Sequence, residues 1–247
     1  MLGPCEGESL DDLAHGLRVL QRQRGHRSAT DDVLAAASAI EARPAAATVL
    51  DLGCGHGTVT LLLSGLLPAA TFVSVEVQEV SHALLDRNIL LNGLQNRVRS
   101  VLGDLRSLRL EDRFDLVTGT PPFMPLGSGI LPKDPQRAAG RFELRGGVED
   151  YLVAGRRHLA PSGTISVLMD GAQDARCRAA FDVAELYLHC VRSYVPRPGR
   201  AVRYRAYVGG LEPSLKPIVE ERLLVRQEDG TYSEAMEALR RTVGVSA

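Results

Sequence analysis

One short segment, residues 49–57, limits the folds that are open to this chain. It reads VLDLGCGHG, an apolar run of strand type that leads into Gly53, Gly55 and Gly57 and then into an apolar stretch with helical spacing. Alternating glycines let the backbone turn sharply and approach a ligand, because no Cβ stands in the way. A buried strand, a glycine turn and a helix in this order predict an α/β fold with a ligand at the carboxyl end of the strand.

The alternation of strands and helices continues after this turn. It predicts a doubly wound, Rossmann-like fold with a seven-stranded, mostly parallel sheet. The expected buried strands are 48–52, 71–75, 98–102, 114–118 and 164–169, and the expected helices between them are about 58–66, 78–92 and 148–160. Two further strands, 183–195 and 202–209, predict an antiparallel C-terminal edge.

The two ends of the chain are expected to add short elements to this core. Residues 10–20 and 30–41 have helical apolar spacing, and a strand at 218–226 and a helix at about 233–241 are expected after Pro213. We therefore expect one domain, with a helical lead-in over 1–45, a core over 46–210 and a C-terminal strand and helix over 211–247.

Composition narrows the class of protein. Hydrophobic residues at 45% and charged residues at 24% are typical of a globular protein and argue against extended disorder. No run approaches the ~20 apolar residues of a membrane helix, and residues 1–10 lack the pattern of a secretory signal, so a cytoplasmic protein is expected. The four cysteines lack metal-binding spacing, which predicts reduced thiols and no metal: Cys5, Cys54, Cys177 and Cys190.

The charge of the chain gives no global attraction to nucleic acid. The formal net charge is -1, and Lys133 and Lys216 are the only lysines, so the positive charge is almost entirely arginine. An RNA partner would therefore need a local arginine patch. GC-rich codon usage explains the same arginine bias without any partner.

Acidic residues at the ends of three predicted strands indicate the cofactor. The glycines alternate as G-x-G-x-G after Asp51, whereas a dinucleotide site would have G-x-G-x-x-G, and this favours S-adenosylmethionine over NAD. Asp51 is expected to help hold the positively charged amino-acid end of that cofactor. Glu76 is expected to accept hydrogen bonds from both ribose hydroxyls, and Asp104, followed by Leu105, from the adenine amino group.

The segment Thr120-Pro121-Pro122-Phe123 follows the fourth predicted strand. It resembles the N-P-P-Y/F tetrapeptide of methyltransferases that modify planar nitrogens. In such a site the first side chain and the Pro121 carbonyl would accept the N–H hydrogens of the target, which restores the nitrogen lone pair, and Phe123 would stack on the planar group.

Other segments resemble one family, the bacterial tRNA(Val) adenine-N6 methyltransferases, which modify the purine beside the anticodon. The resemblance implies a class I methyltransferase that acts on adenine N6 in tRNA. It differs at Thr120, where the family has Asn, and at Phe142, where the family has His. The segments are 19–21 (VLQ), 25–34 (GHRSATDDVL), 88–92 (NILLN), 137–143 (RAAGRFE), 223–225 (LLV) and 230–234 (GTYSE).

Residues 124–147 are expected to form a long loop that shapes the substrate side of the site. Arg137, Arg141 and Arg145 are candidate phosphate contacts, with Glu143 orienting one of them, and Arg27 is expected to contribute from the N-terminal segment. A solvated charge cluster is the alternative for the loop arginines.

Three functions stay open at this point. The first is adenine-N6 methylation of tRNA, and the second is methylation of another planar nitrogen, guanine N2 in rRNA or a protein glutamine. The third is a cofactor-binding scaffold or partner subunit with little activity, because a hydroxyl at Thr120 replaces the amide of the family. His56 lies in the glycine turn and is expected to face solvent.

Overall fold

A computed structural model describes residues 3–245 of the chain, which form an eight-stranded sheet, a two-stranded sheet and seven α-helices. The strands are β1 Glu8–Asp12, β2 Arg18–Arg22, β3 Thr48–Leu52, β4 Thr71–Glu76, β5 Val98–Leu102, β6 Phe114–Gly119, β7 Leu159–Asp170, β8 Tyr187–Val195, β9 Tyr204–Gly210 and β10 Val219–Leu224. The helices are α1 Thr30–Ala42, α2 Thr58–Leu66, α3 Glu79–Leu91, α4 Pro135–Arg141, α5 Val148–His158, α6 Asp174–Val183 and α7 Glu234–Val243.

The large sheet has the strand order β10-β8-β9-β7-β6-β3-β4-β5. Within the run β7-β6-β3-β4-β5, each pair of adjacent strands is parallel. Strand β9 is antiparallel to both β7 and β8. The expected doubly wound, mostly parallel sheet with an antiparallel C-terminal edge is confirmed. The strand count differs from the expected seven, because β10 pairs in parallel with β8 and extends the edge.

The order of the strands, without any side-chain contact, indicates where the functional region lies. The chain passes from β3 outward to β4 and β5, then returns to the other side of β3 to form β6 and β7. The carboxyl ends of β3 and β6 therefore lie side by side at a topological switch point, where open α/β sheets bind ligands. The glycine turn follows β3 and the Thr120 tetrapeptide follows β6.

Helices cover both faces of the large sheet. One buried apolar cluster includes residues of α1, α2, α3 and α7, and a second includes residues of α5 and α6. Apolar side chains on both faces of the central strands explain why the strand sequences are continuous hydrophobic runs. No helix within residues 3–245 has the length and apolarity that a membrane span requires.

The predicted helix over residues 10–20 is wrong. This segment forms an antiparallel hairpin of β1 and β2, in which Leu10 pairs with Leu20. The reason is tertiary, because Asn88 of α3 donates to the Leu20 carbonyl (3.0 Å) and accepts from its amide (2.7 Å). Asn92 makes the same pair of bonds with Arg18. The helical lead-in is therefore limited to α1.

Two helices were not expected from the sequence. The loop over 124–147 contains α4, whose first turn is capped by the Asp134 carboxylate accepting from the Arg137 amide (2.9 Å). Helix α6 ends at Val183, so the strand expected at 183–195 begins at Tyr187.

Candidate active site

The glycine turn after β3 approaches α5 closely. Gly53 and Gly55 have φ values of 64° and 60°, in the left-handed region that favours glycine. A Cβ at Gly53 would lie 2.0 Å from the hydroxyl oxygen of Tyr151, and one at Gly119 would lie 2.8 Å from the same ring. Because these two glycines have no Cβ, the Tyr151 side chain can pack directly against the turn.

Glu76 at the end of β4 has a fixed and buried carboxylate. Its Oε2 accepts from the Gly55 amide (2.9 Å) and its Oε1 accepts from the Gln78 amide (2.7 Å). Burial raises the pKa of Glu76, while these backbone hydrogen bonds oppose the rise. A carboxylate oriented in this way keeps lone pairs free to accept from a diol in the cleft.

We refer to the space between the ends of β3, β4 and β6 as the cofactor cleft. The cleft brings together most of the predicted cofactor residues with the tetrapeptide. The pKa of Asp104 is lowered by the hydrogen bond from Arg106, whose Nε lies 2.9 Å from Oδ1, so this residue is an ionised acceptor. The lining includes Gly53, Gly55, Glu76, Gly103, Asp104, Leu105, Thr120, Pro122 and Tyr151.

A second space, the acidic cavity, adjoins the glycine turn. It is lined by Asp31, Asp32 and Asp51 together with Thr120, Pro121 and Phe123. Asp51 is buried, and its Oδ2 accepts from the Thr60 hydroxyl (2.6 Å). Burial raises the pKa of Asp51 to about 7, and burial together with the charge of Asp31 raises the pKa of Asp32 to about 8. Several carboxyls in one dry space favour a cationic ligand group.

The pKa of Asp51 predicts a pH-dependent cofactor affinity. Below about pH 7 the Asp51 carboxyl is protonated and cannot attract a cation, so the affinity for S-adenosylmethionine should fall by up to about tenfold per pH unit. Calorimetric titrations from about pH 5.5 to about pH 8.5 would measure this. Asp51→Asn should remove this step, and it should also lower the pKa of Asp32, because the charge of Asp51 helps to raise it. A wild-type affinity that is flat across this range would contradict the assignment.

The tetrapeptide lies where the two spaces meet, since Thr120 lines both. The Phe123 carbonyl accepts from the Gln173 side-chain amide (2.6 Å), which holds the segment against the end of β7. The Phe123 ring contacts the ring of Tyr204, with centroids 5.6 Å apart. Beyond Phe123 the surface opens outward.

This opening, the arginine cleft, has a volume of about 810 Å³. Its wall combines the N-terminal segment with α4 and β9, so residues distant in sequence meet around Phe123. No ion pair within residues 3–245 involves the side chains of Arg137 and Arg141, which are exposed. Arg27 is held by Asp11 (3.2 Å). The arginines are Arg24, Arg27, Arg137, Arg141 and Arg203.

Two expectations about individual residues need correction, those for Glu143 and His56. Glu143 does not orient a loop arginine, because its carboxylate binds Arg176 of α6 (2.7 Å). Gly57 lines neither space, and a Cβ there would lie 2.6 Å from Leu85, so its assignment to the cofactor stays a prediction. His56 does not face solvent, since its buried Nε2 lies within hydrogen-bonding distance of the Thr58 hydroxyl (3.0 Å), and burial lowers its pKa to about 3.

Sequence reasoning missed several residues of the site, among them His26, Asp31, Asp32, Tyr151, Arg203 and Tyr204. Asp31 carried a weak signal, because it lies in the segment that resembles the tRNA methyltransferases. Arg203 and Tyr204 carried none, since β9 reaches the site only by antiparallel pairing with β7.

Comparison with known proteins agrees with this geometry. Residues 49–127 match a family model described as a methyltransferase domain. The tRNA1(Val) (adenine(37)-N6)-methyltransferase of Vibrio cholerae is 25% identical over 86% of this chain and 85% of its own length. The ribosomal protein uL3 glutamine methyltransferase of Bradyrhizobium diazoefficiens is 32% identical over 52% of this chain and 42% of its own. The structure of a predicted O-methyltransferase from Agrobacterium tumefaciens has a TM-score of 0.64 at 15% identity, covering 88% of this chain and 98% of its own.

The residues present fit the cofactor. The space where a Cβ of Gly55 or Gly103 would project is open, with nothing closer than 3.9 Å, so a ligand can approach the backbone there. The fold, the oriented Glu76 carboxylate and the acidic cavity, taken with the comparisons, define an S-adenosylmethionine-dependent methyltransferase. The more particular resemblance to the tRNA1(Val) adenine-N6 methyltransferases, expected from the sequence, is confirmed by relatives that span most of the chain.

Proposed function

We propose that this methyltransferase modifies the exocyclic N6 of an adenine in RNA, in a tRNA near the anticodon. The observation that carries the proposal is the position of the tetrapeptide between the cofactor cleft and the arginine cleft. An acceptor that enters between the arginines reaches Thr120 and Phe123 before it reaches the cofactor. The names of relatives over most of the chain point to the same substrate.

The tetrapeptide supplies what a planar amine needs. The amine lone pair is delocalised into the ring, so acceptors for its N–H hydrogens must draw it back onto nitrogen. The Pro121 carbonyl and the Thr120 hydroxyl are the candidate acceptors in the segment, and Pro122 fixes the backbone. The rings of Phe123 and Tyr204 offer an aromatic wall for a base turned out of its stack. The sulfonium of the cofactor supplies an electrophilic methyl group.

The arginine cleft provides the RNA contacts that the net charge of -1 does not. Arg137 and Arg141 lie on α4. Arg24 and Arg27 lie on the N-terminal segment, which packs directly against α4. These guanidinium groups can bind phosphates of an anticodon stem while a purine lies against Phe123.

The packing of the terminal segments against the core supports a single catalytic domain. The hairpin of β1 and β2 binds α3 through Asn88, and Met236 and Leu239 of α7 belong to the same apolar cluster as α1 and α2. We propose that the chain acts as one catalytic domain, in the cytoplasm, where tRNA is modified.

A protein glutamine is the second candidate substrate. The glutamine methyltransferase from Bradyrhizobium supports it, because that relative has the higher identity over about half of this chain. A glutamine amide and an adenine amine are both planar nitrogens that the tetrapeptide could bind. The arginine cleft favours the nucleic acid, because an amide needs no phosphate contacts.

Transfer of labelled methyl groups to total tRNA, rRNA and ribosomal protein, followed by mass analysis of the digests, tests the proposal. We expect N6-methyladenosine in tRNA, and only with active protein. N2-methylguanosine or methylglutamine would refute the substrate while leaving the cofactor assignment intact. Cofactor binding without transfer to any acceptor would support a scaffold role.

Thr120→Asn should speed the chemical step. An amide carbonyl is a fixed acceptor, so we expect the single-turnover rate to rise by about tenfold, the effect of one added hydrogen bond of about 1.4 kcal/mol in the transition state. Rapid-quench assays at saturating cofactor would measure the rate. Cofactor affinity should not change, and Thr120→Ala should be slower than the wild type. A rate unchanged or abolished in Thr120→Asn would show that the segment works differently from that of its relatives.

A further inference from the structure

Four residues line both the acidic cavity and the arginine cleft: His26, Asp31, Phe123 and Gly140. They form the boundary between the space beside the cofactor cleft and the space open to a macromolecular substrate. Within this boundary only His26 and Asp31 have polar side chains. A nitrogen that moves from the arginine cleft toward Thr120 must pass these two side chains.

The neighbouring acids of α1 have different surroundings. The Asp32 carboxylate accepts from the Ala29 amide (2.8 Å) and closes the first turn of the helix. The Asp31 carboxylate accepts no hydrogen bond from another residue within 3–245, although the charges of His26 and Arg203 act on it. A half-buried carboxylate without a hydrogen-bonding partner, beside a reaction site, is available to a substrate group.

We propose that Asp31 accepts an N–H hydrogen of the target amine and then receives the proton that this nitrogen loses. The proposal rests on the proposed function in requiring a planar-nitrogen acceptor. Asp31 would supply the strong acceptor that Thr120, with a hydroxyl in place of an amide, does not. The Thr120 hydroxyl would share this hydrogen with Asp31, and the second N–H hydrogen would go to the Pro121 carbonyl.

The atoms and electrons of the step balance without another reactant. The nitrogen lone pair forms the N–CH3 bond while the S–CH3 bond breaks and the sulfur keeps that electron pair. The methylated nitrogen is then cationic and loses one proton to the Asp31 carboxylate. The proton leaves for solvent through the arginine cleft, which Asp31 also lines.

The electrostatic surroundings suit a proton acceptor. Burial raises the pKa of Asp31, and the charges of His26 and Arg203 oppose the rise. The other titratable or charged residues that line the two spaces come from several elements. They are Asp32, Asp51, Cys54, His56, Arg24, Arg27, Arg137, Arg141, Asp170 and Tyr204. Burial lowers the pKa of His26, which favours its neutral form, and His26 opposes the rise in the pKa of Asp31 only when it is protonated.

The test compares Asp31→Asn with the wild type, using whichever planar-nitrogen acceptor the wild type methylates. We expect the single-turnover rate to fall by at least about 100-fold, as for loss of a general base. The single-turnover rate of the wild type should rise as the pH passes through the pKa of Asp31. This rise should be absent in Asp31→Asn. Affinity for S-adenosylhomocysteine should fall by much less than the rate, because Asp32 and Asp51 still line the acidic cavity. Asp112→Asn removes a carboxylate at the opposite edge of the sheet and serves as the matched control.

A second readout needs no substrate. Carbon-13 NMR of aspartate-labelled protein with bound S-adenosylhomocysteine should show an Asp31 resonance, absent in Asp31→Asn, that titrates above the usual aspartate range. Methyl transfer by Asp31→Asn within threefold of the wild type, an ordinary pKa, or a loss of cofactor affinity equal to the loss of rate would each overturn the inference. Methylation of glutamine with these same effects would refute the adenine substrate and support the role of Asp31.

Discussion

Glu76→Ala is expected to weaken S-adenosylmethionine binding by about 1.5–3 kcal/mol, which corresponds to about 10- to 150-fold in the dissociation constant. The variant removes a buried acceptor from the ribose hydroxyls. It also leaves the amides of Gly55 and Gln78 without their carboxylate partner, so the glycine turn loses one of its hydrogen bonds to β4. Calorimetric titration with the cofactor or with S-adenosylhomocysteine would measure the change.

Glu79→Ala is the matched control for this variant. Glu79 begins α3 three residues later and its side chain is exposed, so its loss should leave the affinity unchanged. Thermal unfolding of both variants without ligand separates a loss of binding from a loss of folding. An affinity of Glu76→Ala equal to that of the wild type would remove Glu76 from the cofactor site.

Reversal of two charges in the arginine cleft should have the second large effect. Arg137→Glu combined with Arg141→Glu is expected to weaken tRNA binding by about 100-fold at low salt, roughly tenfold for each reversed arginine. The slope of log affinity against log salt should become shallower by about 0.7–0.9 for each lost phosphate contact. Binding titrations at several salt concentrations would measure both quantities.

Arg99→Glu combined with Arg113→Glu controls for the change in net charge. These arginines lie at the opposite edge of the sheet, beside the amino-terminal ends of β5 and β6. We expect this control to keep most of the tRNA affinity, and both double variants to bind the cofactor normally. Equal loss in the two double variants would mean that RNA binding follows overall charge and not the arginine cleft.

The core of the fold could be predicted because its signals are local. Residues 48–52 and 98–102 were expected as strands and form strands with the same limits, and 58–66 was expected as a helix and forms α2. Such runs are recognisable because strands buried on both faces are continuously apolar. The prediction that Asp51, Glu76 and Asp104 bind one ligand has a similar basis, since parallel strands bring their carboxyl ends to the same end of the sheet.

The N-terminal hairpin could not be predicted in this way. Its sequence has helical spacing, but side chains of α3 bond its backbone across 68 positions of the chain, and these bonds favour the extended form. The buried state of His56 follows from the same packing, because Asn88 also donates to the His56 carbonyl (2.8 Å). Contacts over this distance leave no periodic signal in either segment.

The sequence by itself therefore determined the class of fold, the cofactor and the tetrapeptide, because each depends on a few neighbouring residues. Only the tertiary structure decided what surrounds that tetrapeptide. Antiparallel pairing of β9 with β7 brings Arg203 and Tyr204 to Phe123, and the packing of α1 brings Asp31 to the boundary of the two spaces. Substrate groups are recognised by side chains that meet in space, and their meeting depends on strand order and helix packing.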